Sequence, residues 1–279
     1  MTSFTSFSCV PLSFACSPCP NDTCIFDALI HGKIPFSRKL QPHFYDIEQL
    51  NEFALQGRFD VMKVSTFTLG KITKEYQLLH SGAAVGKGVG PQIVSKDKIK
   101  IKECLTIAIP GLQTTARLLL ELVFPGTKNL VVMPYHMILN AITSGQVDAG
   151  VIIHESRFMT KEMGLHVIDL GKLYEERFQC PIPLGVIVGK RSLGKELLQQ
   201  VEKAIFDSIH FAKKNPESSR TFVAHHAQEK DPNIIQAHID LYVTDDSLML
   251  SKEALQSIEI LLQAAMNANL IPKQALCLT

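Results

Sequence analysis

Short apolar runs, each bounded by glycine, proline or a polar cluster, recur along the chain up to about residue 190. "VPLSFA", "FDVMKVS", "GPQIVSK", "LTIAIP", "NLVVMPY", "AGVIIHE", "LHVIDL" and "PLGVIVGK" are too short for free-standing helices and predict strands. Between them, segments such as "IEQLNEFALQ" and "YHMILNAITS" repeat their apolar positions with helical spacing. Alternating strands and helices predict an α/β fold. From about Ser192 onward the period becomes helical, through "KELLQQVEKAIFDSIHFAKKN" and "KEALQSIEILLQAAMNANL", so the C-terminal part is expected to be mostly helix.

Two stretches resemble each other. "FALQGRFDVMKVST" and "AITSGQVDAGVIIH" each contain a helix end, a glycine suited to its C-cap, an aspartate and an apolar strand. Gly57 aligns with Gly145, Asp60 with Asp148 and Thr66 with His154. Such junctions also arise by chance in α/β chains; a genuine repeat predicts two similar lobes. Open α/β sheets bind ligands beyond the carboxyl ends of their strands, which places a site in a cleft between the lobes. The polar "HES" ending the apolar run of "GVIIHESRF" would then open into that cleft. In "IPGLQTTARLLLELVF", Thr114 and Thr115 stand where an N-cap belongs. They either simply cap the helix or help its free N–H groups hold an anion. The glycines of "SGAAVGKGVGP" fit no nucleotide fingerprint and predict a flexible turn.

The chain has 279 residues, 46 % of them hydrophobic, and a formal net charge of +1. That balance gives no electrostatic reason to expect nucleic acid or an anionic membrane as partner, which leaves small molecules as the expected ligands. The N-terminal "MTSFTSFSCVPLSFACSPC" has no basic residue before Lys33, so it lacks the charged start of an export signal. No stretch approaches the roughly 20 apolar residues of a membrane span. Seven scattered cysteines fit free thiols in a reducing, cytoplasmic location. Metal chemistry finds no support in spacing. His154-Glu155 begins like HExxH, yet Phe158 stands at the fifth position. "CSPC", Cys16 to Cys19, has no second CxxC. His225, His226 and His238 fall in a helical region where solvated histidines are expected, and no GxSxG nucleophile elbow occurs.

"SPCPNDT" at Ser17 to Thr23, "IFDALIHGKI", "KVS", "GAAVGKGVGP", "TTA" and "GVIIHESRF" together resemble the 1,4-dihydroxy-6-naphthoate synthases of the futalosine route to menaquinone, nearly end to end. The resemblance implies a two-lobed fold like the type II periplasmic binding proteins, with residues 1–98 and 190–279 in the first lobe and 99–189 in the second. It implies a cytoplasmic carbon–carbon lyase without cofactor, which converts cyclic dehypoxanthinyl futalosine to 1,4-dihydroxy-6-naphthoate with release of the sugar-derived fragment. The family's proton-accepting histidine falls on His154, and its substrate-binding positions on Lys63, Val64, Ser65, Thr115 and Ala116. Cys16 and Cys24 depart from the family pattern, which bears on pocket shape near the first strand.

The chemistry agrees with the residues. A neutral imidazole, with an ordinary pKa of about 6.5, takes a proton from carbon acidified by a carbonyl without any metal. A lone histidine at a strand end is otherwise commonly a hydrogen-bonded structural residue. Glu155 points to the opposite face of an extended chain, which favours a structural role for it. Two other functions share the architecture: chorismate dehydratase of the same pathway, and a noncatalytic solute-binding protein. Turnover is expected to survive exhaustive chelation; loss of activity restored by zinc would refute a metal-free site.

Overall fold

The computed structural model describes residues 10–101, 105–158, 160, 163–273 and 278. Every predicted apolar run contains a strand. The ten strands are β1 (Leu12–Cys16), β2 (Leu40–Phe44), β3 (Val61–Ser65), β4 (Tyr76–Gly86), β5 (Gln92–Ser95), β6 (Ile107–Ile109), β7 (Leu130–Val132), β8 (Ala149–Ile152), β9 (His166–Asp169) and β10 (Ile182–Lys190). Two of them, β2 and β4, carry no continuous apolar run. Both are edge strands: β2 reads "LQPHF" and is largely open to solvent, while β4 is broken midway by His80, Ser81 and Gly82. At β2 the edge is solvent-facing, so hydrophobicity marks it weakly; β4 is mostly buried, but its polar and glycine positions interrupt the run.

The strands form two five-stranded sheets, ordered β2-β1-β3-β10-β4 and β7-β6-β8-β5-β9. The two sheets follow one pairing plan. In the first, β1 runs parallel to β2 and β3, and β10 runs antiparallel to β3 and β4. In the second, β6 runs parallel to β7 and β8, and β5 antiparallel to β8 and β9. The internal echo therefore marks equivalent junctions, at β3 and β8. Gly57 and Gly145 both take left-handed backbone, with φ of +62° and +77°. Asp60, just before β3, accepts from Ser13 N at 2.9 Å and Ser13 Oγ at 2.7 Å. Asp148, just before β8, accepts from Thr106 N at 2.8 Å. In each half the aspartate pins the start of a parallel neighbour.

The division between sheets corrects the boundaries expected at residues 98 and 190. β5 lies before the first boundary yet pairs in the second sheet, and β10 starts before the other boundary yet pairs in the first. Each is the antiparallel strand that follows a crossing between the sheets, and an apolar run carries no mark of its partner. The two crossings touch at glycines: a Cβ on Gly90 would lie 2.3 Å from Gly171 Cα.

Helix Lys195–Lys214 packs with helix Pro20–Ile30 on one face of the first sheet, where Leu198, Val201, Ile205 and Ile209 meet Phe14, Phe26, Val61 and Ile187. On the other side, Ala254, Ile258, Leu261 and Leu262 of helix Lys252–Asn267 join a core that also holds Leu118 and Leu119 of helix Thr115–Val123. The C-terminal segments are helices, as their period predicted, and they cover the first sheet. No described helix is long and apolar enough to cross a membrane.

Asp60→Ala is expected to cost about 2–3 kcal/mol, since it strands a charged acceptor's two partners. Asp148→Ala, which removes one hydrogen bond from an exposed side chain, should cost less than about 1 kcal/mol. Urea midpoints at unchanged slope check this, and the reverse order would contradict the roles given to the two aspartates.

Candidate active site

The carboxyl ends of the parallel strands open on one cavity. Beyond β1 come Ser17 and then Asn21 and Asp22 in the first turn of helix Pro20–Ile30, started by Pro20. Lys63 and Ser65 come from β3, Thr114, Thr115 and Ala116 from the segment after β6, and Ile153 and His154 from the end of β8. Leu184 and Gly185 of β10 and Tyr242 of helix Pro232–Tyr242 complete the wall. Ile47, Ala84, Val89 and Pro91 make much of the remainder apolar.

His154 starts a short 3-10 turn, His154–Phe158, with φ of +58°. A non-glycine residue in that region carries strain that its surroundings must hold. Three neighbours fix its ring. Cys19 Sγ lies 3.4 Å from Nδ1, Tyr135 meets the ring edge-on at 4.9 Å, and His238 lies 6.0 Å away, inclined by 26°. Burial, reinforced by the Lys63 charge, pushes the His154 pKa down to about 4. The imidazole is therefore neutral at physiological pH and keeps a lone pair.

Lys63 is almost wholly buried, and its ammonium is already engaged. It donates to Asp22 Oδ1 at 2.8 Å and to the Gly82 carbonyl at 3.0 Å. Asp22 also accepts from Asn21 Nδ2 at 2.9 Å and, through Oδ2, from Ser17 N at 3.2 Å. Ser65 is held by Asn51, whose amide accepts from Ser65 N and donates to Ser65 Oγ. Thr114 is the N-cap, with its hydroxyl accepting from Arg117 N at 3.2 Å. Thr115 donates to the Leu184 carbonyl at 2.7 Å and so ties its helix to the first sheet.

Of the residues picked out in the sequence, Lys63, Ser65, Thr115, Ala116 and His154 line the same cavity. Val64 does not: its side chain points the other way from β3 into the core. Cys16 and Cys24 do not line it either. Cys16 packs beneath the first sheet, where burial raises its thiol pKa, and Cys24 faces Ser219 Oγ at 3.6 Å. The side chain of Glu155 lies outside the described residues. His238, expected in solvent, is fully buried, because its helix packs against helix Pro20–Ile30 and the His154 turn. The sequence reading also missed Asn21, Asp22 and Tyr242. "PND" after an apolar strand was a usable signal for the first two; a tyrosine in an amphipathic helix gives none. Among the described residues, no group of three or more histidines, cysteines or acids is placed to hold a metal.

A family model described as menaquinone biosynthesis matches residues 12–267. This chain belongs to that family. Two curated relatives, from Streptomyces coelicolor and Thermus thermophilus, bear the name 1,4-dihydroxy-6-naphtoate synthase; each is 40% identical to it. The alignments cover 94% and 87% of this chain and 95% and 89% of the relatives. An alkanesulfonate-binding protein from Xanthomonas axonopodis pv. citri has the same fold, with a TM-score of 0.72 at 15% identity over 95% of this chain and 96% of its own. The fold is thus the two-lobed one of the periplasmic binding proteins, and this menaquinone-biosynthesis family member has its cleft lined by an ion pair and a neutral imidazole.

Removing one partner of a buried ion pair leaves an uncompensated charge, at a cost of about 3–5 kcal/mol. Lys63→Met and Asp22→Asn are each expected to lower stability by that order, while the double variant should cost clearly less than the two together. A denaturant double-mutant cycle checks the coupling; strictly additive losses would show that the two charges do not depend on each other.

Proposed function

We propose that this protein is a 1,4-dihydroxy-6-naphthoate synthase, a carbon–carbon lyase that acts on cyclic dehypoxanthinyl futalosine with His154 as its general base. The observation that carries the reading is His154 itself. It is neutral, held in a strained left-handed backbone at the cleft end of β8, and fixed on three sides. The shared name of the two curated relatives supports the product.

In this reading Nδ1–H is directed at the Cys19 sulfur, which leaves the Nε2 lone pair for the substrate. Nε2 takes a proton from a carbon acidified by an adjacent carbonyl, whose oxygen takes up the electron pair. The bond to the sugar-derived fragment then breaks with its pair passing into the second ring carbonyl, while a hydroxyl of the fragment loses its proton and leaves as a carbonyl. Aromatisation drives the step. The cleft contributes orientation and exclusion of water, and its apolar wall, with Ile47, Val89 and Leu184, suits a bicyclic carbon skeleton. Lys63 acts beside the reaction: its charge is balanced by Asp22, yet it still opposes protonation of His154. Chorismate dehydratase remains the competing reading within the pathway, and separate incubations with chorismate and with cyclic dehypoxanthinyl futalosine distinguish the two by product.

His154→Ala should fold and bind while losing about 10²-fold or more in single-turnover product formation, the range for loss of a general base. The wild-type pH profile follows from the sign of the shift. The competent form is neutral and the free-enzyme pKa is lowered to about 4, so kcat/KM should stay level as pH falls below 6.5 and drop only near 4. A folded His154→Ala enzyme with wild-type turnover would place the base elsewhere.

A further inference from the structure

His238 sits in helix Pro232–Tyr242 with 0 % of its surface exposed. Its Nε2–H donates to Asn21 Oδ1 at 2.9 Å. Asn21 donates in turn to Asp22 Oδ1, the same oxygen that takes the Lys63 ammonium. A single chain of contacts thus runs from the buried ion pair through Asn21 to the His238 ring and on to the His154 ring, 6.0 Å away. Burying an imidazole costs the hydration of two ring nitrogens, and an apolar side chain of similar volume would fill the same space at less cost. Packing alone therefore gives no reason for a histidine here.

We propose that His238 is a positioning residue for the reaction: its ring, locked by Asn21, forms the wall that keeps the His154 imidazole dry and correctly turned. The inference rests on His154 being the base. The helix carrying His238 packs directly against the His154–Phe158 turn, so the contact comes from a rigid element and not from a loop. The turn itself is strained at its first residue, and a strained residue needs neighbours that leave it no alternative. Cys19 and Tyr135 restrain His154 from the first and second lobes, and His238 adds the restraint from the C-terminal helices.

The charged and titratable groups around the pair are few. Lys63 approaches from β3 with Asp22 paired to it, Cys19 precedes helix Pro20–Ile30, Tyr135 begins helix Tyr135–Ser144, Tyr242 meets the His238 ring at 4.6 Å from its own helix, and Arg157 lies on the turn itself. Lys63 opposes a proton on His154, while His154 and Arg157 oppose one on His238. Burial is the largest influence on both rings. Removing the His238 ring admits water to His154, so the protonated state of His154 becomes accessible at higher pH.

The test uses the full chain with cyclic dehypoxanthinyl futalosine, comparing wild type, His238→Ala, His238→Phe and His154→Ala between pH 5 and 8. His238→Ala should lose about tenfold or more in kcat with KM little changed. Its kcat/KM should also fall about tenfold between pH 7.5 and 5.5, as a hydrated imidazole titrates near its ordinary value of about 6.5, where the wild type stays level. His238→Phe restores the ring without the Asn21 bond and should recover the level profile and part of kcat. A His238→Ala protein that only melts earlier, with wild-type kcat and pH profile per folded molecule, would overturn the proposal. If His154→Ala retains turnover, the reading of His154 as base fails separately. Titration of the His154 ring by NMR then decides the positioning role: an upward shift in His238→Ala supports it, and an unchanged titration overturns it.

Discussion

Lys63 and Asp22 form an ion pair that is nearly closed to solvent, and the site is arranged around the need to keep it satisfied. A buried ammonium without a partner is prohibitively costly, so β3, which carries Lys63, must stay in register with helix Pro20–Ile30, which carries Asp22, and with the Gly82 carbonyl of β4. Asp22 in turn fixes the turn after β1 through Ser17 N and the Asn21 amide. These bonds engage the two charges of the cleft floor from within the protein. Beside them the cleft presents a ligand with apolar side chains, the Ser65 hydroxyl, the start of helix Thr115–Val123 and the imidazole of His154.

That arrangement explains how a lysine can stand beside the proposed base. An unpaired ammonium would compete for the substrate's charge and bind it tightly in the ground state, which raises affinity without raising kcat. Paired with Asp22, Lys63 leaves a residual field that disfavours a proton on His154. The result is an imidazole that is neutral over the whole physiological range but a weak proton acceptor before substrate arrives. Such a base suits a reaction whose product is aromatic, because the driving force comes from the substrate and the protein has only to hold the lone pair in line.

Much of this was legible in the chain, and the losses have definite causes. The strand runs, the C-terminal helices and the paired Gly57/Asp60 and Gly145/Asp148 junctions all follow from local sequence, because burial and capping act within a few residues. His154 was legible because a polar cluster at the end of a buried strand is costly unless it opens on something. β2 and β4 were missed because edge strands need no continuous apolar run. The lobe boundaries were misplaced because β5 and β10 choose partners across a chain crossing, which no local signal encodes. His238 was taken for a solvated residue on its residue type, although Ile234, Ile235, Leu241 and Tyr242 flank it on the same helix face; contact with helix Pro20–Ile30 and the His154 turn buries it. Long-range pairing, not local propensity, separates what sequence reasoning reached from what it did not.

The backbone of His154 gives the last reason to prefer a chemical role over a structural one. A left-handed conformation at a residue with a Cβ costs about 1 kcal/mol or more, and glycine would remove that cost. Gly57 and Gly145 end helices in the same conformation without a side chain, and Gln179 and Asn269 also carry a side chain in it, but neither of those lines the cleft. At the end of β8 the turn is instead made by an imidazole, with a thiol, a tyrosine ring and a second imidazole arranged around it. Strain of this kind persists when the direction of the side chain matters more than the ease of the turn, and the direction here is into the cleft.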